Sequence, residues 1–428
     1  MDDEGRIADE SEEIVDDLGE DRFIGEEFVG KAVDHRGFAR HIAFGIKIDM
    51  ERVAGGNVID KLDAADFGDA MAGQGVEACG FGIEDDFAHL VTLSLCAHNN
   101  KAVALSERIK VADIKERILV IRLGALGDLI FCFQAFEEIR RAHPGAEIAL
   151  LTRAAFAGFA AAMPWFDRVI IEAHPRFADG GGWLKLRRAI RDFAPTRIYD
   201  LQGKRRQNFL YALLGGPFGP EWSGAAPFCK FPRLWPPKPG MHFTDFLAAQ
   251  LRAAGVAEAD AADLRWLDAQ VGKFALPDRY AVLIPGCSPD APHKRWPAGH
   301  YAALAQRMQA QGFEVLCVGT AADADAVAAI KQENAEIVDL SGQTNMFELA
   351  GILRRAACVV GNDTGPLHLA AALGAPTLGL FSGKSNPIWS SPPGKRVAVT
   401  QRTDLKDLGA DEVFAAFEAL LQHTEGEG

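Results

Sequence analysis

The 428-residue sequence has no apolar run near the roughly 20 residues that a membrane-spanning helix needs. Its first twenty residues carry ten acidic residues and one basic residue, the opposite of a secretory signal. No CxxC pair occurs, and most cysteines lie in apolar surroundings, at positions 79, 96, 132, 229, 287, 317 and 358. This usage is typical of reduced thiols in a cytoplasmic protein and disfavours disulfides and zinc sites.

Several motifs of nucleotide-dependent enzymes and hydrolases are also missing. There is no Walker Gly-x-x-x-x-Gly-Lys-Ser/Thr and no Gly-x-Gly-x-x-Gly after a strand, which disfavours kinases and dehydrogenases. A Gly-x-Ser-x-Gly elbow is absent as well. No Asp-x-Asp lies in a strand-end loop, since residues 323–325 are typical of the start of a surface helix. We therefore expect neither a bound metal ion nor an organic cofactor.

The negative charge is concentrated at the front of the chain. Residues 1–113 hold 26 acidic and 11 basic residues, a net charge of −15, and the remainder holds 33 acidic and 34 basic residues, a net charge of +1. The first twenty residues predict disorder, and residues 21–113 contain no sustained helical pattern. We expect residues 1–113 to be an acidic extension outside the working protein, from a start codon assigned too far upstream. A regulatory extension is the alternative.

From residue 114 onward, short apolar runs alternate with amphipathic segments. Strands are expected at 117–123, 147–151, 168–171 and 197–201, and helices at 129–142, 154–162, 184–193 and 243–254. This alternation predicts a parallel sheet with helices on both faces. Residues 215–240, rich in Gly, Pro and aromatic residues, are expected to form a long loop.

A second unit with the same plan begins near Pro277. Strands are expected at 280–284, 314–318, 337–340, 357–360 and 377–381, and helices at 298–311, 321–333, 346–356, 368–373 and 411–423. The pattern predicts an α/β protein with two Rossmann-like, doubly wound domains facing a central cleft. Their expected bounds are 114–270 and 271–408, with a closing helix and tail at 409–428. Ligands of such sheets bind at the carboxyl ends of strands.

Residues 359–374 carry the clearest binding signal, because a buried-type strand runs through a tight turn into a helix. The unpaired N–H groups and the dipole of a helix start attract phosphate. Gly365 would allow close approach of a phosphate, and Asp363 can accept hydrogen bonds from sugar hydroxyls. The alternative is an ordinary strand-to-helix corner that Asp363 or Thr364 caps.

Two other strand-end loops carry candidate chemistry. Residues 124–128 (Gly-Ala-Leu-Gly-Asp) present Asp128 as a general base, with a capped tight turn as the alternative. Residues 285–297 place Lys294 and Arg295 ahead of a helix, which suits a diphosphate without a metal ion. A solvated basic loop is the alternative.

Cations on the first domain suit an anionic ligand. One predicted helix carries Lys185, Arg187, Arg188 and Arg191, and residues 204–206 (Lys-Arg-Arg) follow the strand at 197–201. Both clusters are suited to phosphate groups or an anionic membrane surface. A solvated helix face explains the first cluster equally well, whereas the position at a strand end favours a functional role for the second.

Taken together, these motifs resemble glycosyltransferase family 9, the family of the lipopolysaccharide heptosyltransferases. The resemblance covers residues 115 to about 422 and rests on four motifs in order, at 118–128, 200–203, 294–297 and 361–371. It implies the GT-B fold, a nucleotide-sugar donor (ADP-heptose in the best-known members) and inversion at the anomeric carbon. It also implies a lipid A–core acceptor at the cytoplasmic face of the inner membrane.

The resemblance also implies roles for individual residues. Asp128 matches the catalytic base, Lys294 the lysine on the donor diphosphate, and Asp363 the residue that contacts the donor sugar. His368 matches the histidine of the last motif, with a buried structural histidine as the alternative. The donor-binding residues expected in full are Lys294, Arg295, Asp363, Thr364, Gly365 and His368. The expected acceptor-binding residues are Arg122, Gln202, Lys204, Arg205 and Arg206.

We therefore expect an inverting, metal-independent glycosyltransferase that moves a sugar, heptose by resemblance, to a lipopolysaccharide core or related glycan. Its expected partners are a nucleotide-sugar donor, a lipid-linked or oligosaccharide acceptor and an anionic membrane surface, without nucleic acid. The expected location is cytoplasmic, peripheral on the inner membrane. The alternatives are a non-catalytic nucleotide-sugar or carbohydrate binding protein of this fold, and a transferase with another donor sugar.

Overall fold

Strands and helices alternate along residues 116–425, the part of the chain that the computed structural model describes; the predicted extension at 1–113 lies outside it. The strands of the first half are β1 (Arg117–Ile121), β2 (Glu147–Arg153), β3 (Arg168–Glu172), β4 (Arg197–Asp200), β5 (Glu221–Gly224) and β6 (Phe231–Pro232). Its helices are α1 (Leu126–Phe131), α2 (Phe133–Ala142), α3 (Ala154–Ala161), α4 (Gly180–Phe193), α5 (Arg205–Leu213) and α6 (Phe243–Ala253). The strands form a parallel sheet in the order β3-β2-β1-β4-β5-β6.

The second half repeats this architecture. Its strands are β7 (Tyr280–Ile284), β8 (Glu314–Cys317), β9 (Val338–Asp339), β10 (Cys358–Asn362), β11 (Thr377–Ser382) and β12 (Val397–Arg402). Its helices are α7 (Ala298–Ala310), α8 (Ala324–Glu333), α9 (Met346–Arg355), α10 (Gly365–Ala372), α11 (Pro387–Ser390) and α12 (Ala410–Glu425). The parallel strand order is β12-β11-β10-β7-β8-β9.

The central strands are built around apolar runs because both of their faces are covered. In β1, Ile118 and Val120 belong to one apolar cluster, whereas Leu119 and Ile121 belong to another on the opposite face. Successive side chains of a strand point to opposite faces, so a strand inside a parallel sheet needs a continuous apolar run. The first of these clusters also contains Val282 of β7 and therefore continues into the second half.

The predicted two-domain α/β architecture is confirmed, and the predicted border at residue 270 lies between α6 and β7. The long loop predicted at 215–240 is wrong, because this segment contributes β5 and β6 to the sheet. Both strands are short and flanked by Gly and Pro, so their sequence gives little periodic signal. The helix predicted at 129–142 begins earlier, at Leu126, and is interrupted at Cys132.

Among the helices within residues 116–425, none is long and apolar enough to cross a bilayer. The five cysteines of the described chain are free thiols, as the scattered spacing predicts. The closing helix α12 packs against α7 and against the strands of the second sheet.

Candidate active site

The strand-end loops predicted from the sequence lie close together in the folded chain. In the second sheet β7 pairs with β10, so the loop after β7, which holds Lys294, lies beside the start of α10. In the first sheet β1 leads into α1, which carries Asp128. Helices α1 and α10 pack against each other, so the loops of the two halves are neighbours.

The fully buried Asn362 joins the loops after β7 and β10. Its Nδ2 donates to the carbonyl oxygens of Pro285 at 2.8 Å and Gly286 at 3.2 Å. Its Oδ1 accepts the Trp296 N–H at 3.2 Å and the Tyr301 hydroxyl at 3.0 Å. All of its hydrogen-bonding groups therefore have partners, and this network holds the loop that carries Lys294 against the end of β10.

Asp363 is the centre of an ionic cluster at the start of α10. Its carboxylate lies 2.9 Å from Lys294 Nζ and 3.3 Å from His368 Nε2, and it accepts a hydrogen bond from Ser385 Oγ at 2.9 Å. Burial acts to raise the pKa of Asp363, but hydrogen bonds and charge from His368 and Lys294 outweigh it and lower that pKa to about 2. Asp363 is thus a carboxylate at neutral pH and fixes the position of the Lys294 ammonium group.

The lowered pKa of Asp363 makes the stability of the fold depend on pH. A carboxyl group whose pKa falls on folding stabilises the native state above its unfolded value, 3.8, and this contribution is lost as the pH falls through about 2. We expect Asp363→Asn to lower the free energy of unfolding by about 2 kcal/mol at pH 6. In urea unfolding at pH 6 to 3, the difference from wild type should stay constant down to about pH 4 and then shrink. If the difference in the free energy of unfolding between the variant and wild type does not vary with pH, the lowered pKa of Asp363 is contradicted.

Close contact between α1 and α10 brings the two halves together beside this cluster. A Cβ on Gly365 would lie 2.9 Å from the Leu126 side chain, and one on Gly127 would lie 3.0 Å from the His368 ring. The His368 ring also packs on Phe131 of α1, with 4.6 Å between ring centroids. Both glycines therefore serve the helix–helix approach, a reason for glycine that the sequence analysis did not foresee for Gly365.

Asp128 lies one residue beyond Gly127, at the edge of this contact, with its side chain 41% exposed. One carboxylate oxygen accepts the Ala125 N–H at 3.1 Å, the N-terminal capping interaction considered as the alternative. The other oxygen lies 3.0 Å from Arg122 Nη2. Capping and an exposed carboxylate therefore occur together, and the geometry leaves part of the Asp128 side chain open to solvent.

Arg122 is a buried residue that positions Asp128. Its side chain is 5% exposed, and Nη1 donates to the Leu201 carbonyl at 2.6 Å. Its guanidinium also lies over the Phe243 ring, 5.2 Å from the centroid. Gln202, predicted with Arg122 to bind an acceptor, accepts the Leu123 N–H at 3.1 Å and ties the ends of β1 and β4 together.

The three cations at residues 204–206 differ in their surroundings. Lys204 and Arg205 are exposed at the start of α5. Arg206 is paired with the buried Glu172 at 2.5 Å and lies over the Trp183 ring at 4.4 Å, so it also supports the loop after β3. Their role in acceptor binding stays a prediction.

The other predicted donor residues surround the start of α10. Thr364 is the N-cap residue but makes no side-chain cap; its hydroxyl donates to the Asn362 carbonyl at 3.2 Å. Arg295 is exposed beside Lys294. His368 is 5% exposed, as the buried alternative has it, yet it contacts the Asp363 carboxylate.

The loop after β11 supplies residues that the sequence analysis missed. Ser385 bonds to Asp363, and the charge of Lys384 acts on His293. Burial, followed by the charges of Lys384 and Lys294, lowers the pKa of His293, so both lysines lie close enough to act on this imidazole. No recognised motif covers this loop, and only its position after an apolar strand gave a signal.

A second contact between the halves lies next to this loop. The Trp389 ring packs 5.4 Å from both Phe243 and Phe246 of α6, measured between centroids. His242 Nε2 lies 3.0 Å from the Ser391 carbonyl oxygen. The loop after β11 thus connects the ionic cluster around Asp363 to the first half of the chain.

A known family and several known proteins are similar to this chain in sequence. The family model described as "Glycosyltransferase family 9 (heptosyltransferase)" matches residues 183–410. Lipopolysaccharide heptosyltransferase 1 of Pseudomonas aeruginosa is 28% identical over 305 residues, which are 65% of this chain and 82% of that protein. Lipooligosaccharide heptosyltransferase 2 of Haemophilus influenzae is 34% identical over 113 residues, which are 25% of this chain and only 32% of that relative.

Solved structures agree in fold. The E. coli ADP-heptose LPS heptosyltransferase II has a TM-score of 0.58 and 23% identity, with 72% of this chain and 99% of that chain covered. A family 9 glycosyltransferase from Veillonella parvula has a TM-score of 0.60 and 20% identity, with 72% and 97% covered. The expected GT-B fold is therefore confirmed. Because the family match spans more than half of the sequence, this chain belongs to glycosyltransferase family 9, the heptosyltransferase family.

Proposed function

We propose that this protein transfers heptose from ADP-heptose to a lipopolysaccharide-core acceptor. The observation that carries the proposal is the packing of α1 on α10, which brings the helix that carries Asp128 beside the Lys294–Asp363–His368 cluster. Donor and acceptor groups need such adjacency, because a reacting pair must be held within a few ångströms. The names of the relatives support the choice of sugar and acceptor.

The second half binds the donor in this proposal. A diphosphate lies against the Lys294 ammonium group and the free N–H of Gly365 at the start of α10, where the helix dipole favours negative charge. Asp363 binds sugar hydroxyls and keeps Lys294 in place through the 2.9 Å ion pair. Thr364 and Arg295 complete the phosphate site.

The first half supplies the base. Asp128 accepts the proton of an acceptor hydroxyl while the oxygen of that hydroxyl attacks the anomeric carbon. The bond from this carbon to the diphosphate oxygen breaks, and the electron pair leaves with ADP. Attack opposite the leaving group inverts the anomeric configuration. The preorganised cations stabilise the charge that develops on the diphosphate, which is usually the largest catalytic contribution.

The acceptor binds to the first half in this scheme. Lys204 and Arg205 are exposed at the end of β4 and suit the phosphates of an anionic glycolipid. Arg122, Gln202 and Arg206 shape the site through their contacts with neighbouring loops. In this proposal the protein acts in the cytoplasm, at the inner face of the inner membrane. Protein cations, and not a metal ion, neutralise the charge of the donor diphosphate.

A coupled assay tests the proposal. With ADP-heptose and a heptose-deficient lipopolysaccharide core, we expect ADP release in equal amounts to transferred sugar, and NMR of the product should show the inverted anomer. A panel of other nucleotide sugars serves as the control for donor choice. Donor binding without ADP release would indicate a binding protein, and faster turnover with another nucleotide sugar would overturn the choice of ADP-heptose.

A further inference from the structure

Three large apolar side chains are exposed together on the first half. Phe177, in the loop after β3, is 64% exposed, Leu184, the fifth residue of α4, is 61% exposed, and Phe209 of α5 is 38% exposed. Phe177 and Phe209 lie 6.0 Å apart between centroids, and each also contacts the Trp183 ring, at 6.0 Å and 4.7 Å. We call Phe177, Leu184 and Phe209 the apolar patch. Phe177 and Phe209 are in contact and Leu184 adjoins Trp183 in sequence, and exposed apolar side chains grouped in this way mark an interaction site.

Hydrogen bonds and a cation–π contact hold the residues beneath the apolar patch in place. The indole nitrogen of the buried Trp183 donates to the Arg176 carbonyl at 3.0 Å. Arg206 stacks over the same ring and donates to the Pro175 carbonyl at 2.8 Å. These bonds connect the loop after β3 to the starts of α4 and α5. The exposure of Phe177 is therefore part of a defined arrangement.

Cations adjoin the apolar patch on α4 and α5. On α4, Lys185 follows Leu184 directly. On α5, Arg205 lies four residues before Phe209, so Arg205 and Phe209 are on the same face of that helix. Lys204 and Arg188 are exposed as well. The cluster predicted on α4 is split, since Arg187 donates to the Leu213 carbonyl at 2.8 Å and belongs to the packing of that helix. Exposed aromatic and leucine side chains among lysine and arginine suit the interface of an anionic bilayer.

The position of the apolar patch relates it to the proposed chemistry. The loop after β3 and the start of α5 follow the carboxyl ends of β3 and β4. Asp128 follows the carboxyl end of β1, which lies in the same parallel sheet next to β4. The apolar patch and the proposed base therefore both lie at the carboxyl ends of the strands of the first sheet.

We propose that the apolar patch inserts into an anionic lipid surface and orients the first half on it, with the flanking cations against lipid phosphates. This inference rests on the proposed function in one respect, since a lipid-linked acceptor would then reach the edge that carries Asp128. A protein partner or a second copy of this chain is the rival occupant. The lipid surface is favoured because the apolar patch is small and is flanked by cations on both helices.

Vesicle flotation of the full chain tests the proposal. We expect binding to vesicles of phosphatidylcholine with about 30% phosphatidylglycerol, weaker binding to pure phosphatidylcholine, and loss of binding as salt is raised. The double variant Phe177→Ser/Leu184→Ser should lower the partition coefficient by about tenfold or more. The matched control is Phe218→Ser/Phe228→Ser, since both phenylalanines are more than 80% exposed and lie outside the apolar patch. This control should bind like wild type.

Two results would overturn the inference: no binding of the wild type to anionic vesicles, or equal losses in the two double variants. Concentration-dependent dimerisation that only the Phe177→Ser/Leu184→Ser variant loses, without vesicle binding, would assign the apolar patch to a second copy. Failure of the proposed function is separable. It would appear as no sugar transfer to a delipidated core acceptor, whereas vesicle binding needs no donor and is measured without it.

Discussion

Replacing Asp128 by asparagine should lower the rate of sugar transfer by about 10²–10⁴-fold, the usual contribution of a general base. The amide has the size of the carboxylate, and its oxygen can still accept the Ala125 N–H, which lies 3.1 Å from the Asp128 carboxylate in the wild type. It cannot accept a proton from an acceptor hydroxyl at neutral pH. Single-turnover transfer with saturating donor measures this step directly.

The matched control for this variant is Glu348→Gln. Glu348 occupies the same position of a capping box, where its carboxylate accepts the Asn345 N–H at 3.0 Å, and it pairs with Lys273 at 2.6 Å. Its replacement should change stability to a similar extent and leave transfer unchanged. Equal losses of activity in both variants, or full activity of Asp128→Asn, would show that Asp128 acts only as a cap.

Replacing Lys294 by methionine should weaken donor binding by about 10- to 100-fold, because a charge-assisted hydrogen bond to phosphate is lost. The variant also removes one of the two groups that keep Asp363 ionised, so the pKa of Asp363 should rise. Isothermal titration with ADP measures the affinity. The apolar part of the side chain is retained, so the fold should persist.

Lys395→Met provides the control for Lys294→Met. Lys395 is an exposed lysine of the second half that precedes β12 and so lies at the opposite end of the sheet from the strand-end loops. ADP affinity should be unchanged in this variant. Unchanged ADP affinity in Lys294→Met itself would remove this lysine from the proposed phosphate site.

The sequence predicts the fold well where strands are buried on both faces. The runs 118–121 in β1, 280–284 in β7 and 358–360 in β10 are apolar, and each strand lies in the middle of its sheet. Prediction failed at β5 and β6, on one side of the first sheet, which have four and two residues and lie among Gly and Pro. Such strands are defined by the neighbour that they pair with, which local periodicity does not encode.

The same distinction applies to the candidate site. Asp128, Lys294 and Asp363 were identifiable because each follows a recognisable strand within a motif. Their mutual distances were not, since they depend on the approach of α1 to α10 that Gly127 and Gly365 permit. Ser385 was missed because its hydrogen bond to Asp363 spans 22 residues of sequence and carries no motif.

Donor binding and proton abstraction are assigned to different halves of the chain, and one experiment tests this separation most directly. ADP affinity and single-turnover transfer are measured in parallel for Asp128→Asn and Lys294→Met. We expect Asp128→Asn to keep wild-type ADP affinity while transfer is lost, and Lys294→Met to lose both. A loss of ADP affinity in Asp128→Asn as large as that in Lys294→Met would contradict separate roles for the two halves.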